Sequence, residues 1–146
     1  MTQYVDTSIL AAYYCPEPLS ERAEERLRAL RPPVLSWLTD VVLHSALAKK
    51  VRRGELVEED AERVQGLFRT HVSHALYEVA AIKHEDFVQA RQWMARMDTA
   101  LRTLDALHLA VAHRRDLEVL TADRGLADAG RAFEIEVELM SAGDQS

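Results

Sequence analysis

Residues 117–123, with the sequence LEVLTAD, give the clearest indication of how this chain is built. Leucine and valine occupy three of the first five positions, as expected of a short buried strand. Asp123 ends this segment and precedes a helical pattern over residues 124–132. The same order opens the chain, where a predicted strand over residues 3–6 ends in Asp6. Two strands that each end in an aspartate and lead into a helix predict an α/β domain.

Strand and helix patterns alternate along the whole chain. Strands are predicted over residues 3–6, 34–36, 117–121 and 133–139. Helices are predicted over residues 7–14, 21–30, from Thr39 or Asp40 to Arg53, from just after Glu58, and over 87–97, 101–113 and 124–132. Residues 76–82 fit a helix, a strand or a loop equally well. Glutamates alternate with apolar residues over 133–139, which predicts an edge strand with one face in water.

Strands separated by helices predict a mostly parallel sheet with helices on both of its faces. One domain is expected over residues 1–140, followed by a flexible tail over 141–146. Ligands of such sheets bind beyond the carboxyl ends of the strands. Asp6 and Asp123 follow strand ends, so we expect both to lie at the same edge of the sheet.

The composition is that of an ordinary globular domain. The chain has 146 residues, of which 48% are hydrophobic and 29% charged. Its 18 basic and 24 acidic residues give a net charge of −6, which argues against coating nucleic acid by bulk charge. The basic residues at 49–53 are explained most simply by their attraction to the negative C-terminal end of a helix. A local contact with nucleic acid stays open as the alternative. The single Cys15, the polar amino terminus and the lack of a long apolar run predict a cytoplasmic protein without a membrane span.

Three aspartates are the strongest candidates for a functional site. Asp6 and Asp123 each have a simpler explanation, because an aspartate at such a position also caps the following helix. Asp105 lies in a mostly apolar helix, where an ionised carboxylate is costly unless a partner such as Arg102 compensates it. Together the three carboxylates would repel one another without a cation, and oxygen ligands suit Mg²⁺ or Mn²⁺. We therefore predict a shared divalent-metal site.

An acidic metal site without a nucleophile motif favours hydrolysis of a phosphodiester by metal-activated water. A phosphatase that uses an aspartyl nucleophile fits less well, because Ser8 stands where its second aspartate would be expected; a phosphatase for small substrates stays a third alternative. His108 lies three residues after Asp105 on the same helix face. It is expected either to orient that carboxylate, to relay a proton, or to be a core histidine bonded to the backbone.

These residues resemble the PIN-domain ribonucleases, and among them the VapC-type toxins of type II toxin–antitoxin systems. The similar segments cover nearly the whole chain and read VDTS at 5–8, LHSALAKK at 43–50, LRTLDALHLA at 101–110 and LTAD at 120–123. The resemblance implies a PIN-like three-layer fold, dependence on Mg²⁺ or Mn²⁺, and cleavage of RNA, for example tRNA or another structured RNA. It also implies a homodimer and inhibition by a cognate antitoxin. Asp6, Asp105 and Asp123 match the catalytic metal ligands, and Ser8 and Thr121 match residues that support them.

One position departs from the family pattern. The family usually has a glutamate three residues before the serine of the Ser-Ala-Leu segment, and this chain has Val42 there. The nearest acid is Asp40, which on a helix points to nearly the opposite side and has its own explanation as a charge near a helix N-terminus. Three explanations of Val42 stay open. The chain is a natural member of the family with weak or absent catalysis, it has been altered to silence a toxic nuclease, or Asp40 takes the place of the glutamate. The alternative function is a non-catalytic module of the same fold that binds RNA or a protein partner.

Overall fold

A five-stranded parallel sheet forms the centre of the computed structural model, which describes residues 2–141. Its strands are β1 (Gln3–Val5), β2 (Val34–Ser36), β3 (Glu78–Ala80), β4 (Glu118–Thr121) and β5 (Val137–Leu139). The strand order is β3-β2-β1-β4-β5, and every neighbouring pair is parallel. The predicted α/β class with a parallel sheet is confirmed.

Seven helices within residues 2–141 cover this sheet. They are α1 (Thr7–Tyr14), α2 (Ser20–Ala29), α3 (Trp37–Arg52), α4 (Glu58–Ser73), α5 (His84–Ala95), α6 (Thr103–Arg114) and α7 (Arg124–Ala132). No helix in that range is long and apolar enough to cross a membrane.

Two apolar clusters, one on each face of the sheet, explain why the domain has three layers. Successive strand residues point to opposite faces. Tyr4 and Val119 pack against α5, α6 and α7, whereas Val5 and Leu120 pack against α1 to α4. Helix α6 is buried along most of its length, from Ala106 to Ala112, as its apolar sequence predicts.

The order of the strands places a crevice between β1 and β4. From β1 the chain runs outward through β2 to β3, then returns to the other side of β1 to form β4 and β5. The point at which an open parallel sheet reverses its strand order is where such folds bind ligands. Val5 pairs with Leu120 in the sheet, so the residues that follow these two strands, Asp6 and Asp123, emerge side by side.

The start of α3 differs from the prediction. The helix begins at Trp37, immediately after β2, rather than after Thr39 or Asp40. Thr39 still contributes to the helix start, because its Oγ1 accepts a hydrogen bond from the Ser36 backbone N–H at 3.2 Å. The capping residue is therefore Ser36, three residues earlier than Thr39.

Three further boundaries differ from the sequence pattern. The ambiguous segment 76–82 contains the short edge strand β3. The predicted strand over 133–139 is confirmed as an edge strand but shortened to β5, because Phe133 ends α7 and Glu134 turns the chain with φ of 61°. Helix α5 lies two to three residues earlier than predicted. Of the predicted tail, Ser141 is described and 142–146 lie outside the described residues.

Candidate active site

A cleft of about 470 Å³ opens at the carboxyl ends of β1 and β4 and brings the predicted acids together. Its lining includes Asp6, Ser8, Val42, Asp105, His108 and Asp123. The lining residues come from the turns after β1 and β4 and from α3 and α6, which are far apart in sequence.

Asp6 is held in a fixed orientation at the bottom of this cleft. It is 7% exposed, and its Oδ2 accepts hydrogen bonds from the Ser8 hydroxyl at 2.7 Å and from the Thr121 hydroxyl at 2.9 Å. The same oxygen lies 3.4 Å from the Ser8 backbone N–H, so Asp6 also caps α1. The helix-capping role and a role in the site therefore coexist in this residue.

The hydroxyls of Ser8 and Thr121 tie together the two turns that carry Asp6 and Asp123. Ser8 Oγ accepts a hydrogen bond from the Ala122 backbone N–H at 2.9 Å while donating to Asp6. Thr121 Oγ1, which is fully buried, accepts from the Asp123 backbone N–H at 3.0 Å while donating to Asp6. Both hydroxyls contact the Asp6 carboxylate, which the resemblance expects them to support, and their role in a metal site stays a prediction.

Asp105 enters the cleft from the first turn of α6. Burial raises the pKa of the Asp105 carboxyl, Arg102 opposes this shift, and the charges of Asp123 and Asp6 add to it. Asp6 and Asp123 are therefore close enough to Asp105 for their charges to act on its ionisation.

Asp123 caps α7, and one of its oxygens faces the cleft. Its Oδ1 accepts hydrogen bonds from the backbone N–H groups of Gly125 at 2.8 Å and Leu126 at 3.3 Å. Its Oδ2 lies 3.8 Å from a terminal nitrogen of Arg102, whose Nε lies 3.4 Å from Asp105 Oδ2. The sequence suggested Arg102 as a partner for Asp105, but the bridge to Asp123 was not predicted because it spans two elements.

Val42 lines the cleft, whereas Asp40 does not. On α3, Val42 shares the face toward the acids with Ser45, Ala46 and Lys49. Asp40 points to the groove between α3 and α4 and pairs with His44 at 3.3 Å. Because α3 begins at Trp37, it is neither late nor rotated enough to bring Asp40 among the acids, so this geometry does not support Asp40 as a replacement for a glutamate at 42.

His108 is buried beneath the cleft and bonds to a tyrosine rather than to the backbone. Its Nδ1 lies 2.5 Å from the hydroxyl of Tyr4, which also contacts Ser36 Oγ at 2.9 Å. Burial lowers the pKa of His108, although the charge of Asp6 opposes this, and burial raises the pKa of Tyr4 to about 12. Both groups are therefore neutral near pH 7, and Tyr4 is a partner that the sequence pattern gave no reason to expect.

Comparison with known families identifies the domain. The model of the PIN domain family matches residues 3–132. The chain belongs to the PIN domain family.

Known proteins similar to this PIN domain include toxins and a nuclease. Ribonuclease VapC3 of Pyrobaculum aerophilum is 28% identical over 129 residues, which cover 88% of this chain and 94% of that protein. The structure of VapC20 from Mycobacterium tuberculosis, a sarcin–ricin loop cleaving toxin, has a TM-score of 0.66 at 20% identity over 89% of this chain and 95% of that chain. A toxin–antitoxin complex from Klebsiella pneumoniae contains a chain with a TM-score of 0.59 at 19% identity, over 86% of this chain and 90% of that chain. At these identities the two structures establish a shared fold.

The donor set of this PIN domain suits a hard divalent cation. Asp6, Asp105 and Asp123 offer only carboxylate oxygens, which Mg²⁺ and Mn²⁺ prefer. Within residues 2–141, no three acidic, histidine or cysteine side chains are grouped closely enough to surround one ion as they stand. Mg²⁺ usually retains several waters and uses only one or two carboxylates, so the residues fit the ion without forming a closed cage.

Lys49 is a further residue of the cleft, although its position near the end of α3 predicts a role in complementing the helix end. It is exposed and occupies the last turn of that helix. The structure also places it on the cleft wall, seven residues after Val42 and on the same helix face. The spacing of Val42 and Lys49 predicts this second role, since positions seven apart share a helix face.

Proposed function

We propose that this PIN domain is a Mg²⁺- or Mn²⁺-dependent endoribonuclease, the toxin of a toxin–antitoxin pair. The observation that carries the proposal is the convergence of Asp6, Asp105 and Asp123 in one cleft where the strand order reverses. Sequence similarity to a protein named as a ribonuclease supports RNA as the substrate. Fold similarity to a toxin that cleaves the sarcin–ricin loop supports a structured RNA such as rRNA or tRNA.

The carboxylates of Asp6, Asp105 and Asp123 would hold the divalent ion. When bound, the ion supplies an activated water and neutralises charge that develops on the phosphodiester. Thr121 and Ser8 both donate to Oδ2 of Asp6, which fixes the carboxylate and leaves its Oδ1 without a donor among residues 2–141. This arrangement restrains the Asp6 side chain, and its Oδ1 would be the oxygen left to hold an ion.

Two cations on the cleft wall provide contacts for the RNA backbone. Lys49 lines the cleft from α3, and Arg102 lines it from the start of α6, beside Asp105 and Asp123. Basic side chains bind phosphate oxygens regardless of sequence and set the register of a nucleic acid. Such local contacts are compatible with the net negative charge of the whole chain.

Partners of the toxin follow from the same proposal. The toxin–antitoxin complex from Klebsiella pneumoniae supports a cognate antitoxin protein as the inhibitor. We also propose that the toxin is a homodimer and that it acts in the cytoplasm. The buried free thiol of Cys15 is compatible with such a reducing compartment.

A second function is favoured by one observation, the presence of Val42 on the cleft wall. A valine contributes no ligand, so the chain would then bind RNA or a protein partner through the same surface with weak or no turnover. The two functions differ in whether the unmodified chain, with Val42 on the cleft wall, cleaves the RNA or only binds it.

Cleavage of a structured RNA with Mn²⁺, Mg²⁺ or EDTA tests the proposal, using the unmodified chain, Asp105→Asn and Val42→Glu. We expect metal-dependent cleavage that Asp105→Asn abolishes and Val42→Glu increases by about tenfold or more, the size of effect seen when residues that support a metal site change. Val41→Glu is the matched control, because Val41 is 67% exposed, neighbours Val42 and does not line the cleft.

The results separate the two functions. RNA binding without cleavage by the unmodified chain would leave the binding module as its function, and cleavage by Val42→Glu alone would assign the loss of turnover to the valine. Equal cleavage by all variants, including Asp105→Asn, would reveal a contaminating nuclease and remove the support for this site.

A further inference from the structure

Arg102 lies at the mouth of the acidic cleft and reaches two of its three carboxylates. The residue occupies the N-cap position of α6, three positions before Asp105. Its Nε lies 3.4 Å from Asp105 Oδ2, and a terminal nitrogen lies 3.8 Å from Asp123 Oδ2. The guanidinium therefore bridges an acid on its own helix to an acid that follows β4.

We propose that Arg102 is an internal counterion that competes with a divalent cation for Asp105 and Asp123. The inference rests on the proposed function, because it concerns the same metal site, and it adds a residue of this chain that sets metal affinity. In the absence of metal, Arg102 reduces the repulsion among the acids. A bound metal ion takes over that role and releases the arginine side chain.

Competition follows from which oxygen atoms are available. Asp123 Oδ1 is already engaged by the backbone N–H groups of Gly125 and Leu126 at the start of α7. Oδ2 is thus the Asp123 oxygen left for a cation, and it is the one that faces Arg102. A guanidinium and a divalent ion repel each other, so both cannot occupy this position at close range.

Displacement of Arg102 requires little energy. Its side chain is 79% exposed, so the charge is well hydrated both in place and after it swings away. Exposed ion pairs of this kind contribute modestly to stability. Loss of its two contacts on metal binding is therefore a small cost.

Calorimetric titration with MnCl₂ alone, without RNA, tests the inference on the unmodified chain, Arg102→Gln and Arg124→Gln. Glutamine removes the charge and keeps most of the side-chain length. We expect Arg102→Gln to bind Mn²⁺ threefold to tenfold more tightly than the unmodified chain, which corresponds to about 0.7–1.4 kcal/mol. Arg124→Gln is the matched control, since Arg124 is exposed, adjacent to Asp123 and makes no ion pair with a described residue.

Thermal unfolding gives a second measurement that does not depend on the calorimeter's range. In EDTA, Arg102→Gln should unfold at a lower temperature than Arg124→Gln, because its acids have lost their counterion. Saturating Mn²⁺ should then raise the unfolding temperature more for Arg102→Gln than for the control.

Each outcome has a distinct meaning. Equal tightening in Arg102→Gln and Arg124→Gln would mean that general charge, not competition, sets the affinity, and would overturn the inference. Unchanged or weaker Mn²⁺ binding in Arg102→Gln alone would also overturn it while leaving the metal site intact. Absence of Mn²⁺ binding in all three proteins would overturn the metal site of the proposed function, and the inference with it.

Discussion

Replacing Thr121 by valine removes the hydroxyl that connects the two acid-bearing turns while preserving the shape of the side chain. Thr121 is fully buried, donates to Asp6 Oδ2 at 2.9 Å and accepts from the Asp123 backbone N–H at 3.0 Å. A hydrogen bond to a charged group contributes about 1.5–3 kcal/mol, and a neutral one about 0.5–1.5 kcal/mol. Because valine leaves no cavity, we expect Thr121→Val to lower the free energy of unfolding by about 2–4 kcal/mol.

Urea denaturation in EDTA measures this loss without metal. The midpoint should fall while the dependence of the unfolding free energy on urea stays the same, since both proteins expose the same surface. Thr70→Val is the matched control, because among residues 2–141 the Thr70 hydroxyl bonds only to the Gly66 carbonyl, on the exposed side of α4. We expect that control to stay within about 0.5 kcal/mol of the unmodified chain.

A double-mutant cycle with Asp6→Asn assigns the loss to the site. If Thr121 stabilises the fold through Asp6, the cost of Thr121→Val should shrink in the Asp6→Asn background, where the acceptor is no longer charged. Mn²⁺ affinity should also fall by about 10–100-fold in Thr121→Val, as for other residues that orient a metal ligand. A loss no larger than that of Thr70→Val would refute the view that this hydroxyl supports the site.

Two other groups give predictions of known sign. The pKa of Asp105 is raised in the folded state, so the folded protein holds this proton more tightly than the unfolded chain does. In EDTA, the free energy of unfolding should therefore fall as the pH rises from the ordinary aspartate pKa through the raised value. Asp105→Asn should flatten that decline when urea midpoints are compared across pH, and an unchanged slope would contradict the raised pKa, which comes first from burial and then from the neighbouring acids. Asp86 is 1% exposed and binds Arg114 at 2.7 and 3.0 Å. Asp86→Ala should therefore lower the free energy of unfolding in urea by about 3 kcal/mol, and a loss under about 1 kcal/mol would show that Arg114 finds water instead.

The parts of the fold that were predictable from sequence are those governed by local pattern. Strands β1 and β4 are short apolar runs, and each is followed by an aspartate and a helix. Since parallel strands share the direction of their carboxyl ends, the proximity of Asp6 and Asp123 followed from these patterns alone. The near-continuous apolar sequence of α6 likewise predicted that Asp105 would be partly buried.

The parts that were not predictable depend on contacts between distant segments. Tyr4 and His108 are 104 residues apart, and no local pattern indicates that the tyrosine hydroxyl satisfies the histidine. The start of α3 was placed too late because Thr39 is a good capping residue by composition, whereas here it accepts from the N–H of Ser36. Glu134 adopts a positive φ that shortens the last strand, although the alternating sequence favours a longer one.

Substitutions of Val42 and Arg102 can change the charge of the cleft equally while only one adds a ligand, which separates the effect of charge from the effect of a ligand. Val42→Glu and Arg102→Gln each make the cleft more negative by one unit, so both should strengthen Mn²⁺ binding. Only Val42→Glu adds a carboxylate on the α3 wall, and only this change should increase RNA cleavage. If both variants raised cleavage equally, negative charge alone would limit the reaction, and the valine would not stand in the place of a catalytic acid.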